Sequence, residues 1–500
     1  MPSTSDLPSH RDRRPQGATL GLFSAALTLL TVFAIGITRP ALWADELATE
    51  GAARLSLPAL SMLVRNIDMV LAPYYILMHA WTTVFGHSEL ALRAPSVIAM
   101  TGAGVLTVDM ARRLHGARGA VLALIVFVCV PATSRYGQEA RPYAAGCFLV
   151  AMAMWCLVVD RNNARVSSSR RYGAAAAVLA AGLMQPAYLL ATPGLFAIGY
   201  PNDSRARLKW GLLLGTAALP GCLLYLWSAQ GDTSIWAWVA LVTPTSLAYR
   251  LTSVVGSDQA GGAAFLTLAA GGIRARGTHR GLALIGIAPI VVLLLAGTQL
   301  HVYVARLLTF TLPALVLLAV ATLLALRTPG LVATLSLLAV CNMHAQLDMR
   351  RGDGHGQDSR LTQQTIGLLS RPGDVVVYGE LPRSINWSPR DMVTFYVPRQ
   401  STPPDALALA PQRTDGRFMA PEAPDVSARL SRSERVWVVR ADAPTDPRAG
   451  LGAKSEWLKD HTRVDRIWRG REITIALMRV DESGPGSRGA GPHPDVRPAR

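Results

Sequence analysis

The residues best placed to do chemistry begin with Asp45 and Glu46, in the stretch Trp43-Ala44-Asp45-Glu46. Six residues separate this pair of carboxylates from the end of an apolar run, Ala18 to Thr38. A charge at a membrane edge is costly unless it faces water or a partner, so acids there are candidates for function. The plainer reading makes them the first solvated residues of a loop. A second cluster is Ser134-Arg135-Tyr136-Gly137-Gln138-Glu139-Ala140-Arg141-Pro142-Tyr143, which crowds two Arg, one Glu, one Gln and two Tyr into ten residues. A third is Gln299-Leu300-His301-Val302-Tyr303-Val304-Ala305-Arg306. Carboxylates can take a proton from a hydroxyl. Guanidinium groups match phosphate in two-pronged geometry.

The elements that must hold these residues are mostly membrane spans. Of 500 residues, 50% are hydrophobic and only 16% are charged, against about a quarter in a soluble protein. Apolar runs recur from Ala18 to about Ala345 and then stop. The first follows Arg11, Arg13 and Arg14, with no convincing small-x-small cleavage site before Trp43, and reads as an uncleaved signal anchor. The net charge of +16 does not mark a nucleic-acid binder. Its basic residues fall mostly in short loops between apolar runs, where the positive-inside rule puts them. Their Arg bias, with abundant Ala and Gly, suits a GC-rich bacterial genome. Cys129, Cys147, Cys156, Cys222 and Cys341 all lie in apolar runs without metal-ligand spacing and read as small buried hydrophobes.

Basic clusters at Arg11/Arg13/Arg14, Arg112/Arg113/Arg118, Arg161/Arg165/Arg170/Arg171, Arg205/Arg207/Lys209, Arg274/Arg276/Arg280 and Arg327 are placed in the cytoplasm. Eleven spans then follow, near 18–38, 95–111, 119–132, 144–159, 173–185, 187–200, 210–227, 258–273, 281–296, 304–326 and 329–346. The N-terminus is expected inside and the C-terminal domain outside, in the cell (inner or plasma) membrane of a bacterium. Residues 71–86 are apolar enough to span. Counting them would put Arg112 and Arg113 outside, so they read as an amphipathic or re-entrant helix within a long first external loop, 39–94. Aromatics at 74, 75, 81 and 85 suit an interface. A further external loop, about 228–257, carries Trp236, Trp238, Tyr249 and Arg250 and reads as another surface helix.

The expected fold class is therefore an all-α polytopic membrane bundle with a small C-terminal extracytoplasmic α/β domain. Residues 1–17 form a basic cytoplasmic N-terminus, 18–347 the membrane domain, 348–480 the α/β domain and 481–500 a disordered tail. Within the third part, Gly352 to Ser359 reads as a polar linker and Leu361 to Leu369 as a helix. Strands are predicted at Val375–Tyr378, Val436–Val439 and Ile473–Met478.

On the outer face the acids are Asp45, Glu46, Asp68 and Glu139. The bases are Arg65, Arg93, Arg135, Arg141, Arg250 and Arg306, with His301. Any single Arg could pair with a loop acid for structure. The set together suits a ligand with a phosphate and a lipid tail. The four acids could also hold a hard divalent ion. There is no D-x-D pair and no His/Cys ligand spacing, so no metal or other cofactor is assigned. No G-x-S-x-G stands on this face, and Gly-rich phosphate loops are absent.

Several segments in combination resemble bacterial membrane glycosyltransferases of the GT-C superfamily. They are Trp43-Ala44-Asp45-Glu46, then Asp68-Met69-Val70-Leu71-Ala72-Pro73-Tyr74-Tyr75, then Phe85-Gly86-His87-Ser88-Glu89-Leu90-Ala91-Leu92-Arg93-Ala94-Pro95-Ser96, then Tyr136-Gly137-Gln138-Glu139-Ala140-Arg141-Pro142-Tyr143-Ala144. Arg306-Leu307-Leu308-Thr309-Phe310-Thr311-Leu312-Pro313-Ala314-Leu315 is similar to an R-Y-F-L-P-A-L-P element of the protein O-mannosyltransferase-like and dolichyl-phosphate-mannose-dependent group. The resemblance covers about residues 20–320. It implies a GT-C-type helical bundle that moves a sugar, mannose in that group, from a polyprenyl phosphate to an extracytoplasmic glycan, lipid or protein. It also implies Asp45 as the base, Glu46 and Glu139 as further catalytic acids, Arg141 as the partner of Glu139, and Arg306 near the donor phosphate. Arg135, Tyr143, His301, Tyr303 and Asp68 complete the expected substrate-binding set. Ala72-Pro73 stands where many relatives have His-Pro.

The chemistry is coherent on its own terms. A polyprenyl phosphate leaves readily, so transfer needs a carboxylate to take the acceptor's proton and cations to hold the departing phosphate. One base acting in line would invert the anomeric carbon. A transporter or flippase of lipid-linked sugars, or a non-catalytic cell-envelope assembly protein, could share the helices. A transporter should carry charges near the bilayer midplane. Here only Asp109 lies inside a predicted span, close enough to its cytoplasmic end to snorkel.

Overall fold

The computed structural model describes residues 13–158, 166–230, 238–274, 277–379 and 387–481. Its helices in chain order are α1 (Arg13–Ala34), α2 (Ala44–Ala53), α3 (Leu57–Asn66), α4 (Ala72–Phe85), α5 (Glu89–Cys129), α6 (Pro131–Gly137), α7 (Tyr143–Leu157), α8 (Ser168–Met184), α9 (Thr192–Ile198) and α10 (Ser204–Ser228). They continue with α11 (Leu247–Thr252), α12 (Gln259–Gly271), α13 (Thr278–Gly286), α14 (Ala288–Gly297), α15 (Leu312–Leu324), α16 (Thr328–Asp348), α17 (Leu361–Leu369), α18 (Ser388–Tyr396), α19 (Val426–Leu430) and α20 (Ala453–His461). The strands are β1 (Val375–Tyr378), β2 (Arg435–Arg440), β3 (Thr462–Gly470) and β4 (Ile473–Val480).

Two compact units emerge. The first draws on the described parts of Met1–Ile35, Arg93–Leu223 and Leu241–Gln346. The second draws on Gly36–Leu92, Leu224–Ala240 and Leu347–Arg500. Six helical segments among the described residues are long and apolar enough to cross a membrane. Each of the eleven predicted spans falls on a helix or on two helices in series, and the chain is a multi-pass membrane protein. The span at 95–111 and most of that at 119–132 lie on α5, which breaks at Gly116, whose φ of 76° lies outside the helical range; the second span ends on α6. Asp109 sits just before that break. Its carboxylate lies 2.7 Å from both Arg112 and Arg113 and accepts a 2.8 Å hydrogen bond from Trp155.

In the first unit α15 forms the core, with Leu312 through Val320 all buried. Pro313 near its start suits a first helical turn, where a missing N–H costs nothing. Glycines let neighbouring backbones close in: a Cβ on Gly272 would stand 2.1 Å from the Leu318 carbonyl oxygen. Such small-residue contacts are the usual means of helix packing in lipid. The opposite situation holds on α10 and α16, where Leu208, Leu212, Leu219, Val332 and Val340 are exposed, as lipid-facing side chains should be.

In the second unit a four-stranded sheet runs in the order β1-β2-β4-β3. β1 pairs parallel to β2, and the other two pairings are antiparallel. Val377, Val436, Val438, Ala476 and Met478 form its core with Leu407, Leu430 and Leu458. The helix and three predicted strands appear where expected. β3 was not expected, because its register slips between Val464 and Arg466 and charges interrupt its alternation. Such a bulge hides the period of two that marks a strand.

Gly352 to Ser359 is a correction to the sequence reading. His355, Gln357 and Ser359 are buried, and the segment forms hydrogen-bonded turns in place of a solvated linker. Its polar side chains are internal partners, which composition cannot distinguish from solvated ones. In α4, Tyr74, Tyr75 and Met78 are buried while Ile76, Leu77, Val84 and Phe85 are exposed, so both faces are apolar. Of the 228–257 segment, α11 is helical, whereas Trp236 lies outside the described residues, as do residues 1–12 and 482–500.

Gly146 of α7 faces the ring of Tyr188, where a Cβ would approach to 2.0 Å. Gly146→Ala should therefore destabilise the first unit by about 1–3 kcal/mol, seen as a lowered unfolding temperature of the protein in detergent. An unchanged temperature would contradict this packing.

Candidate active site

Within the first unit, the site is built on the segment joining α6 to α7. Three anchors fix its backbone. Gln138, fully buried, donates hydrogen bonds of 2.7 Å and 2.8 Å to the carbonyls of Phe33 and Ile35. These lie at the end of α1, where helix carbonyls lack internal partners. Ser96 of α5 donates to the Glu139 carbonyl at 2.6 Å. The Arg141 N–H donates back to that same carbonyl at 2.8 Å. Side chains on so firmly tied a turn keep one direction.

The side chains then converge. Arg135 and Glu139 pair at 3.1 Å, with the carboxylate wholly enclosed. The rings of Tyr136 and Tyr143 meet edge to face at 5.4 Å. Burial pushes the Tyr136 phenol well above its ordinary range; Glu139 adds to the effect, and Arg135 and Arg306 oppose it. Four of the expected residues (Arg135, Glu139, Tyr143 and Arg306) thus share the surroundings of one hydroxyl. Arg306 stands on the 3-10 stretch Ala305–Thr311, which runs directly into α15. Thr309 donates to the Arg306 carbonyl at 2.7 Å, fixing that turn.

Arg141 belongs to the same α6–α7 segment, and Tyr303 makes a contact of its own. Arg141 is buried. Tyr303 donates to the Arg250 carbonyl, and the Arg250 guanidinium stands 5.9 Å from the Tyr303 ring centre. Burial raises the Tyr303 hydroxyl to about 12, against the opposing effects of Ser253 and Arg250. His301 is exposed.

Within the second unit, Asp45 and Glu46 occupy the first turn of α2. The positive end of the helix dipole favours negative charge there. The two differ sharply in setting. Asp45 is half-buried, whereas Glu46 is fully buried. Glu46 Oε2 lies 3.4 Å from Nδ1 of His355, itself buried. One turn on, Glu50 pairs with Arg54 and lies 3.5 Å from His87. His79 of α4 meets the Ala53 carbonyl at 3.0 Å, closing the far end of α2. Asp68 adopts a left-handed backbone, φ 59°, and its carboxylate accepts a 2.9 Å hydrogen bond from Tyr75. Asp is among the few residues that take this conformation readily.

Sequence reasoning gave no role to His355 or Glu50, and named Ser96 and Gln138 only as members of longer segments. A partner 105 residues away, as for Gln138 and Phe33, leaves no local pattern. The usable signal was the density of polar groups at 134–143. Among the described residues, no group of three or more His, Cys, Asp or Glu could hold a metal ion.

Gln138→Ala would leave two carbonyls without their donor, a loss of about 1–3 kcal/mol. Amides of residues 134–143 should then exchange hydrogen about tenfold faster or more. Exchange at the wild-type rate would show that the anchor is dispensable.

The family model for dolichyl-phosphate-mannose-protein mannosyltransferase matches residues 71–227. No curated protein matches the chain. Among solved structures, the chain is similar to the crystal structure of ArnT from Cupriavidus metallidurans in the apo state, at 13% identity and a TM-score of 0.58, over 93% of this chain and 98% of that one. The same protein bound to undecaprenyl phosphate gives 13% identity and a TM-score of 0.56, over 92% and 98%. At such identity the structural likeness is one of fold. The family match covers the part of the chain that carries Arg135, Glu139, Arg141 and Tyr143, which is thereby similar to that mannosyltransferase family.

Proposed function

We propose that the protein transfers a sugar, mannose as the first choice, from a polyprenyl-phosphate donor to a hydroxyl of an extracytoplasmic acceptor. The observation that carries this reading is the Arg135–Glu139 pair, at 3.1 Å, on elements against which the Ala305–Thr311 stretch bearing Arg306 packs. Two guanidinium groups beside a single enclosed carboxylate leave a net positive site, which suits a phosphate. The bound undecaprenyl phosphate of the ArnT crystal structure supports the same donor class. The mannose comes from the description of the matched family. The distribution of basic loops supports a cytoplasmic N-terminus.

The reaction breaks the bond between the anomeric carbon and the phosphate oxygen and forms a bond to the acceptor oxygen. The acceptor proton goes to Asp45, and the polyprenyl phosphate leaves with the bonding pair. Arg306, Arg135 and Arg141 stabilise the charge that grows on the leaving phosphate. Because arginine supplies the positive charge, no metal is required. Asp45 suits the base better than Glu46, since it is half-buried while Glu46 is enclosed against His355. Glu139 holds Arg135 in place, and Tyr143 with Tyr136 forms the wall of the phosphate site. His301, Tyr303 and Asp68 stay peripheral to this scheme. Attack from the side opposite the phosphate inverts the anomeric centre.

Purified protein should transfer label from a polyprenyl-phosphate sugar, with or without chelator. Asp45→Asn should lower kcat by about 10²–10⁴-fold with normal expression and membrane insertion. A variant with near-wild-type turnover would remove Asp45 from the role of base. Arg306→Ala should weaken donor binding by about 10- to 100-fold, the loss of a charge-assisted hydrogen bond. Unchanged donor dependence would take Arg306 out of the site.

A further inference from the structure

The segment that carries Asp45 is tied to residues from the other end of the chain as well as to its own neighbours α3 and α4, all within the second unit. Immediately before α2, the Ala41 N–H donates to the Gly352 carbonyl at 2.7 Å. The Leu42 N–H donates to the Tyr396 hydroxyl oxygen at 2.7 Å, and Ser359 donates to the Leu42 carbonyl at 2.6 Å. Tyr396 in turn donates to Glu89 at 2.6 Å. Arg360 pairs with Glu89 and donates to the carbonyls of Thr38 and Arg39. Residues 38–42 and Glu89 are the two ends of the segment that includes α2, and Arg360 and Tyr396 hold both.

The body of α2 is gripped as well. His355 meets Glu46, the residue beside Asp45. The Arg413 guanidinium lies against Gly51, where a Cβ would stand 2.6 Å from its central carbon. Asp391 fixes that guanidinium with two hydrogen bonds of 2.8 Å and 2.7 Å. Arg413 takes a positive φ of 65° to reach this place. A non-glycine residue keeps such a backbone only where its surroundings over-determine it.

We propose that the C-terminal domain is the positioning device for the catalytic carboxylate, with His355 as its positioning residue acting through Glu46. This rests on Asp45 being the base. Glu46 and Asp45 are neighbours on one helical turn. A hold on one fixes the direction of the other, and displacement of a reacting group by about 1 Å can cost roughly 10²-fold in rate.

The test uses full-length protein in detergent or nanodiscs, with a labelled polyprenyl-phosphate sugar and three variants. His355→Ala should lower kcat by about 10- to 100-fold, with the donor KM changed less than about twofold. Amides of residues 44–53 should exchange faster. His355→Asn, whose amide nitrogen can stand in for Nδ1, should recover much of kcat. Glu46→Gln combined with His355→Ala should be no worse than the poorer single variant, as expected for two residues in one contact. Wild-type kcat and exchange in His355→Ala would overturn the proposal. So would a kcat loss matched by a rise in KM with no recovery by Asn, which marks general damage. Near-wild-type turnover in Asp45→Asn would instead sink the base assignment, and the exchange data would then decide the hold on α2 by themselves.

Discussion

An enclosed carboxylate must have a cation or a hydrogen-bond donor against it, and two such carboxylates organise this protein. Glu139 is wholly buried and has Arg135 at 3.1 Å. Glu46 is wholly buried and has His355 at 3.4 Å. Removing one partner of such a pair strands the other, at a cost of about 3–5 kcal/mol. That penalty explains why the surrounding backbone is so firmly tied. Gln138 and Ser96 secure the turn that carries Glu139, and Tyr396 and Ser359 secure the approach to α2. In both places a fixed charge stands next to the group assigned to chemistry. The scaffold fixes that charge first, and the reactive group inherits its direction.

Arginine is the other recurrent choice. Only three of the 49 Lys and Arg residues are lysines. A guanidinium is weakly hydrated and presents a planar fork, so it tolerates burial and can pair with a carboxylate or phosphate through two bonds. Arg413 uses that fork on Asp391, and Arg113 pairs with Asp109 while lying 4.5 Å from the centre of the Trp155 ring. An ammonium ion would satisfy neither geometry.

Much of the fold was legible because lipid leaves so few solutions. Among the described residues the predicted apolar runs fall on helices, six helical segments being long and apolar enough to cross a membrane, and the buried strand Val375-Val376-Val377-Tyr378 appears as β1, residue for residue. β3 was hidden by its bulge and its charges. Residue type made Asp45, Glu139 and Arg306 candidates, and the family resemblance supplied their expected roles. The division of labour between Asp45 and Glu46 became physical only with His355, which lies 309 positions away. A polar residue in a glycine-rich stretch looks solvated in sequence. Only tertiary structure shows that His355 and Ser359 face inward.

The make-up of the second unit has a consequence for how the protein is made. Gly36–Leu92 joins Leu347–Arg500 in one compact body, yet most of the first unit, Arg93–Leu223 and Leu241–Gln346, is synthesised between them. At about 5–20 residues per second, the ribosome needs roughly tens of seconds to reach Leu347 after finishing Leu92. During that interval Glu46, Glu50 and Glu89 exist without His355, Arg360 or Tyr396. The nascent segment must therefore wait, solvated or chaperoned, and the carboxylate-bearing helix settles among the last parts of the molecule. Full assembly of this body is thus coupled to completion of the chain.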